Sequence, residues 1–281
     1  MIFAHSKRDV FLMMIVAIEV GAGLVPAMTG WHPELNLPWL AFGAGLVFLN
    51  CTNYQCVAHN IIHNSFFRFE TMNRVMSALN TLALGVPQSL YRIHHLNHHR
   101  YNSDLPDLKT GEVGDRSSIY RFSKKRGQPE SILAYSALSP FRTEFGFLYE
   151  GAVRIGTGWQ VWLETLFLLG FFAAIALLNW RFFTFFYLPV WYLGQAAAFA
   201  ENYLEHYRAI PGNRLTDSVS SYHPVYNFVW FNNGYHQEHH LKPQVHWTKI
   251  PEVKAEMLPE EKRRVAAGAH WFNWRSEAHR T

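Results

Sequence analysis

Four groups of residues in this 281-residue chain have the types and spacing of metal ligands. They are His59-Asn-Ile-Ile-His63, His94-His95-Leu-Asn-His98-His99, Asn202-Tyr-Leu-Glu-His206 and His236-Gln-Glu-His239-His240. Ten of the 16 histidines fall inside them. Neutral imidazole is the commonest protein ligand for metals. A structural zinc needs four ligands and a catalytic zinc three, so this number points to a centre of at least two ions. On a helix, residues at i, i+3 and i+4 share a face. His59 and His63, and Asn202 and His206, are i and i+4. His95, His98 and His99 repeat the i, i+3, i+4 pattern, as do His236, His239 and His240. Nine imidazoles and one carboxamide can therefore converge. His94 is surplus in this register, and a register using His94, His98 and His99 stays open.

The surrounding residues narrow the chemistry. There is no His-Glu-x-x-His, hence no peptidase base of that kind. GxSxG, P-loop and GxGxxG motifs are absent, as is a CxxCH haem attachment. Imidazole suits iron, zinc, copper and nickel. A substrate dissolved in a membrane offers little to hydrolyse but carries strong C–H bonds. Breaking those bonds calls for O2 activation by non-haem iron, haem or copper. A histidine-rich non-haem di-iron site is the most economical reading.

These ligands must be positioned by helices, and the composition indicates where. Hydrophobic residues make up 49% of the chain and aromatics 16%, a load that suits interfacial belts in a bilayer. Mean hydropathy is only −0.08, so apolar spans should alternate with a large polar portion. Four apolar runs, at residues 10–28, 39–58, 159–178 and 182–200, approach the ~20 residues that cross a bilayer. The first is read as a transmembrane helix rather than a signal peptide, because no small-x-small cleavage site follows it. Residues 75–91 carry Asn80, Gly85, Pro87 and Gln88 and are expected to form a short interfacial or re-entrant helix delivering the second histidine group.

Lysine and arginine test this topology. Two precede the first run, none lie between the first and second, 12 lie in residues 64–156, one is in the turn at Arg181, and ten lie from residue 207 onward. Positive residues favour the cytoplasmic side. The expectation is four spans with both termini cytoplasmic and all histidine groups on that face. The same distribution argues against nucleic acid, since no groove-reading motif accompanies the charges.

The HxxxH, HxxHH and HxxHH motifs, in that order around four spans, resemble the integral-membrane fatty acid desaturase and hydroxylase superfamily. The run Asn-Gly-Tyr-His-Gln-Glu-His-His followed by Pro243 is similar too, and the likeness covers roughly residues 40–245. It implies one membrane domain over residues 1–281, all α-helical, with four transmembrane helices and a cytoplasmic helical cap carrying the boxes. It implies two iron ions held by His59, His63, His95, His98, His99, His206, His236, His239 and His240, with Asn202 binding through water and O2 as co-substrate. No fused cytochrome b5 or His-Pro-Gly-Gly signature is present, so electrons are expected from a ferredoxin, a rubredoxin or a cytochrome b5 with its reductase. Desaturation of a fatty acyl or related lipid chain is the expected reaction. Hydroxylation of an alkyl chain, carotenoid or specialised metabolite is the alternative, supported by the alkane-hydroxylase-like wording from Asn202 to Tyr207. A metal transporter would string its ligands along a path through the spans.

His94, Glu205, Glu238, Asp104 and Asp107 are candidates for groups that bond the outer imidazole nitrogens and fix their tautomers. His5, His32, His223, His246, His270 and His279 are read as ordinary packing or surface histidines, and Cys51 and Cys56 as small apolar fillers. Glu19 lies at the middle of the first run, where an ionisable group must face the protein interior.

Overall fold

The computed structural model describes residues 2–274, so His279 lies outside the described residues. The chain is mainly helical and divides into two compact units. One contains the residues up to Ile93 together with Glu144–Ala198. The other contains His94–Thr143 together with the residues from Phe199 onward.

The first unit is built on long apolar helices. Helix α1 (Asp9–Met28) and helix α8 (Gly158–Leu178) are each long and apolar enough to cross a membrane, with mean hydropathy 2.2. Between them in the chain come α2 (Leu37–Thr52), α3 (His59–His63), α4 (Glu70–Leu84), α5 (Gln88–Tyr101), α6 (Ile132–Leu138), which belongs to the second unit, and α7 (Phe145–Arg154). After α8 follow α9 (Trp180–Phe182) and α10 (Leu188–His206).

The other two apolar runs are helical but not uniformly so. A π-helical turn, Asn53–Ala58, joins α2 to α3, and a second, Phe183–Tyr187, joins α9 to α10. Such turns take in an extra residue and re-aim every side chain that follows, which is why they recur near functional sites. The Asn36 side chain starts α2 by accepting from the Trp39 N–H at 3.1 Å, with Pro38 in the first turn. This is a standard N-cap arrangement. Ala27, Leu46, Phe171, Ile175, Phe182, Phe186 and Tyr187 form the apolar core of the unit.

Glu19 is met there as its depth requires. Its Oε1 accepts from Asn50 Nδ2 at 3.2 Å and its Oε2 from Asn53 Nδ2 at 2.5 Å. Glu164 is likewise fully buried, in the first turns of α8. It accepts from Ser77 Oγ of α4 at 2.6 Å and from the Ser89 N–H at the start of α5 at 2.8 Å. One carboxylate thus ties α8 and α4 to the open N-terminal end of the helix that carries the second histidine group.

Residues 75–91 do not form one helix. Gly85, at φ +71°, ends α4, and Pro87 precedes the start of α5. The Trp191 indole packs against Gly85 so closely that a Cβ there would collide with it, while its Nε1 donates to Leu84 C=O at 2.9 Å. Left-handed backbone at a non-glycine residue costs about 1–3 kcal/mol. A Gly85→Ala variant is expected to lose at least that much, seen as a lower thermal midpoint in detergent. An unchanged midpoint would show that the break between α4 and α5 does not depend on this glycine.

The second unit contains α11 (Pro224–Val229) and α12 (His236–Leu241). It also contains two short strands, β1 (Ser220–Ser221) and β2 (Val265–Ala266), paired in parallel as Ser220↔Val265 and Ser221↔Ala266. Ile119, Tyr120, Tyr135, Tyr203 and Leu204 form its apolar centre. Gly234 enters α12 with its backbone against Ser221, whose N–H donates to Gly234 C=O at 2.7 Å, leaving no room for a Cβ.

Candidate metal centre

Each histidine group is delivered by a helix. α5 presents His95, His98 and His99, α10 ends on Asn202 and His206, and α12 begins with His236 and carries His239 and His240. His98, His206, His236 and His240 are all at most 3% exposed. Their Nε2 atoms face one another: His98 to His206 at 3.1 Å, His206 to His236 at 3.3 Å, and His236 to His240 at 3.1 Å. A second set meets in the same way. His99 Nε2 lies 3.0 Å from both His95 Nε2 and His239 Nε2. In the first unit, the α3 histidines His59 and His63 are buried, with ring centroids 5.3 Å apart.

The outer nitrogens fix the tautomers. His98 Nδ1 lies 2.8 Å from Asp115 Oδ2, and His206 Nδ1 lies 3.0 Å from Asp217 C=O. A carbonyl and an ionised carboxylate only accept, so both Nδ1 atoms carry a proton, and Nε2 presents its lone pair when the ring is neutral. Burial holds the His206 imidazole down to about 3 and also lowers His240. Burial pushes His98 down as well, but the Asp115 carboxylate beside it reverses the direction to a net rise. Buried imidazole nitrogens that face one another at this spacing are placed to share a cation. The donor set therefore fits a divalent metal of the kind imidazole prefers.

Asp115 is held by more than His98. It accepts from the Ser103 and Ser117 N–H groups and from Ser117 Oγ, each at 2.7 Å. These bonds and His98 overcome burial and keep the carboxyl well below the usual range. The Ser103 N–H reaches it because Asn102 and Ser103 both take left-handed backbone, with φ 53° and 54°, directly after α5. Strain of this kind persists where surrounding bonds over-determine it.

The other candidate residues occupy varied places. Asn202 donates to the Tyr135 hydroxyl at 2.8 Å. His94 turns its ring edge toward Phe199, with centroids 6.4 Å apart. Burial lowers it to about 4. Glu205 accepts from Asn233 at 2.8 Å and lies 3.5 Å from His236 Nδ1. Glu238 is fully buried but faces β1 and the tail: it accepts from Ser220 Oγ at 2.6 Å and from Tyr222 OH, and pairs with Arg263 at 3.5 Å. Asp104 accepts from the Gly114 and Asp115 N–H groups, shaping the loop that presents Asp115. Asp107 is exposed and caps its own turn through the N–H groups of Lys109 and Thr110. His5 and His32 are exposed, His223 starts α11, and His246 bonds the Thr248 hydroxyl.

Sequence reading passed over Asp115, which sits in a polar loop with no motif around it. It also passed over His270, read as an ordinary histidine. His270 is fully buried, and with Glu201 and Glu205 it forms a third cluster of ligand-type groups. Burial lowers its imidazole, but bonds to Glu201 and Glu205 prevail and lift it to about 9.

The family described as "Fatty acid desaturase" matches residues 36–271. The sphingolipid delta(4)-desaturase of Schizosaccharomyces pombe is 26% identical over 223 residues, covering 74% of this chain and 58% of that protein. The sphingolipid delta(4)-desaturase DES1 of Gallus gallus is 29% identical over 269 residues, 89% of this chain and 75% of the relative. The sphingolipid delta(4)-desaturase/C4-monooxygenase DES2 of Rattus norvegicus is 28% identical over 245 residues, 84% and 71% respectively. Against the yeast relative, the chain spans less than three fifths of the partner's length.

Proposed function

This chain belongs to the fatty acid desaturase family, and from that premise we propose that it is a membrane oxidoreductase that removes hydrogen from a C–H bond of a lipid chain, with desaturation as the outcome. The observation that carries the reading is the inward-facing set of Nε2 atoms on His98, His206, His236 and His240. The names of its relatives support a lipid substrate with a sphingoid or acyl chain. The ligands are His59, His63, His95, His98, His99, His206, His236, His239 and His240, with Asn202 acting through water. Two iron ions in such a donor set would supply the O2-dependent chemistry that breaks an unactivated C–H bond. The chain itself supplies orientation: Asp115 and the Asp217 carbonyl hold the Nδ1 protons of His98 and His206, so that each ring turns its Nε2 inward.

Four spans at residues 10–28, 39–58, 159–178 and 182–200 form the membrane part of this reading. Both termini and the histidine-bearing helical cap are cytoplasmic, and the whole chain is one functional domain. Two of the four runs coincide with helices of membrane-crossing length. Electrons come from a separate carrier of the ferredoxin, rubredoxin or cytochrome b5 class. A second reading, hydroxylation, is favoured by the dual name of the rat relative, a desaturase and C4-monooxygenase.

Anaerobic purification with iron, reconstitution with a reduced carrier and O2, and mass spectrometry of ceramides, sphingoid bases and acyl lipids test the proposal. The expected product is lighter than its substrate by two hydrogens. A product heavier by one oxygen selects the hydroxylase reading. Zinc alone in the purified protein, with no O2-dependent product, would overturn both.

A further inference from the structure

Within the second unit, four buried side chains lie behind His236 and take no part in the ligand set. Glu201 and Glu205 stand one turn apart on α10, both 0% exposed, and His270 is equally buried. The Tyr226 hydroxyl donates to Glu201 Oε1 at 2.5 Å and lies 3.0 Å from His270 Nδ1. His270 Nε2 lies 2.9 Å from Val219 C=O. His270 Nδ1 lies 3.5 Å from Glu201 and 3.6 Å from Glu205.

The protons on these groups follow by counting. Val219 C=O can only accept, so His270 Nε2 carries a proton. Tyr226 has one proton, and Glu201 receives it. The Tyr226 oxygen can therefore only accept from His270, so Nδ1 carries a proton as well. With Glu201 ionised, this count makes His270 an imidazolium between two carboxylates. Ionised partners make the strong hydrogen bonds in a buried network. Removing one would leave the other charges buried without compensation.

His270 does not reach this place by chance. The segment that bears it is fastened to the end of α10: Asn273 Nδ2 donates to Leu204 C=O at 2.7 Å and to Tyr207 C=O at 3.0 Å. Leu204 lies in the last turn of α10 and Tyr207 just past its end, where carbonyls lack partners inside the helix. Asn273 Oδ1 in turn accepts from Arg264 Nε at 3.1 Å. The tail is thereby fixed to the helix that carries Glu201, Glu205 and His206.

We propose that His270, together with Tyr226 and Glu201, is a positioning group for the metal centre: it holds the Glu205 carboxylate where His236 Nδ1 meets it. The inference rests on the metal-centre reading above and adds residues from the C-terminal tail to it. Glu205 Oε1 accepts from Asn233 Nδ2 at 2.8 Å and lies between His270 Nδ1 at 3.6 Å and His236 Nδ1 at 3.5 Å. Partners that orient a ligating histidine typically change metal affinity or activity by about 10–100-fold when removed.

The test is anaerobic iron titration of the full-length chain, with thermal unfolding of the metal-free protein alongside. The parent is expected to take up two irons. His270→Gln is expected to keep one at parental affinity and to bind the other at least about tenfold more weakly. The affected ion is the one that His236 shares with His98, His206 and His240. Tyr226→Phe, which removes one hydroxyl and leaves the ring packing, is expected to shift the same ion in the same direction by a smaller factor. The metal-free midpoint should move little in Tyr226→Phe, so this variant decides the matter if His270→Gln does not fold. Parental affinity for both irons in Tyr226→Phe and His270→Gln would overturn the inference. So would equal loss of both irons with a lowered metal-free midpoint, which would make the tail a structural prop only. Failure of the parent itself to take up two irons would overturn the metal reading first.

Discussion

Replacing His206 with alanine is expected to remove one iron per chain and to cut turnover at least about a thousandfold, equivalent to about 4 kcal/mol of barrier. Among the described residues this ring is the link in its group, at 3.1 Å from His98 and 3.3 Å from His236. It is 1% exposed and its Nδ1 is anchored on Asp217 C=O. The substitution removes one ligand, leaves a cavity, and strands that carbonyl without its donor. Iron analysis by mass spectrometry and a product assay check the result, with the exposed His32→Ala as the comparison. Two irons and full turnover in His206→Ala would remove this residue from the centre and sink the shared-site reading.

The second large effect is expected at Asp115. Asp115→Asn should weaken iron binding by about 10–100-fold. Four donors converge on this carboxylate: His98 Nδ1, two backbone N–H groups and the Ser117 hydroxyl. A carboxylate has lone pairs enough for all of them, whereas an amide replaces one oxygen with a donor that faces the others. The His98 ring would lose its fixed tautomer and the loop its anchor. Ser117→Ala removes one of the four bonds and should produce a smaller change in the same direction. Competition titration with a chelator gives both numbers. Equal affinities in the parent and both variants would mean that His98 is oriented by its helix alone.

Much of this was readable in the chain because helical spacing turns residue type into shared direction. The i, i+3, i+4 pattern of His95, His98 and His99 needs only α5 to put three rings on one side. Hydropathy marked the apolar runs, and two of them are helices of crossing length. The break at Gly85–Pro87 was visible as residues but not as consequence. Its position depends on Trp191, a residue far along the chain, packing over the glycine. Asp115, Glu201 and His270 were out of reach for the same reason. A lone aspartate in a polar loop and a lone histidine near the end have no period. They acquire meaning from bonds to residues that folding brings to them. Glu238 shows the converse: it stands inside a histidine box, yet its partners are Ser220, Tyr222 and Arg263.

The pairing of His98 with Asp115 spans 17 positions, whereas His206, His236 and His240 come much later in the chain. During synthesis, α5 and its loop leave the ribosome long before α12 exists. The His98 imidazole can therefore be captured by its own loop while the rest of its set is still untranslated. A complete set of four nitrogens forms only when the third box has emerged. Any ion that needs all four nitrogens of this group can therefore bind only after the third box has been made, whereas the orientation of His98 is available earlier.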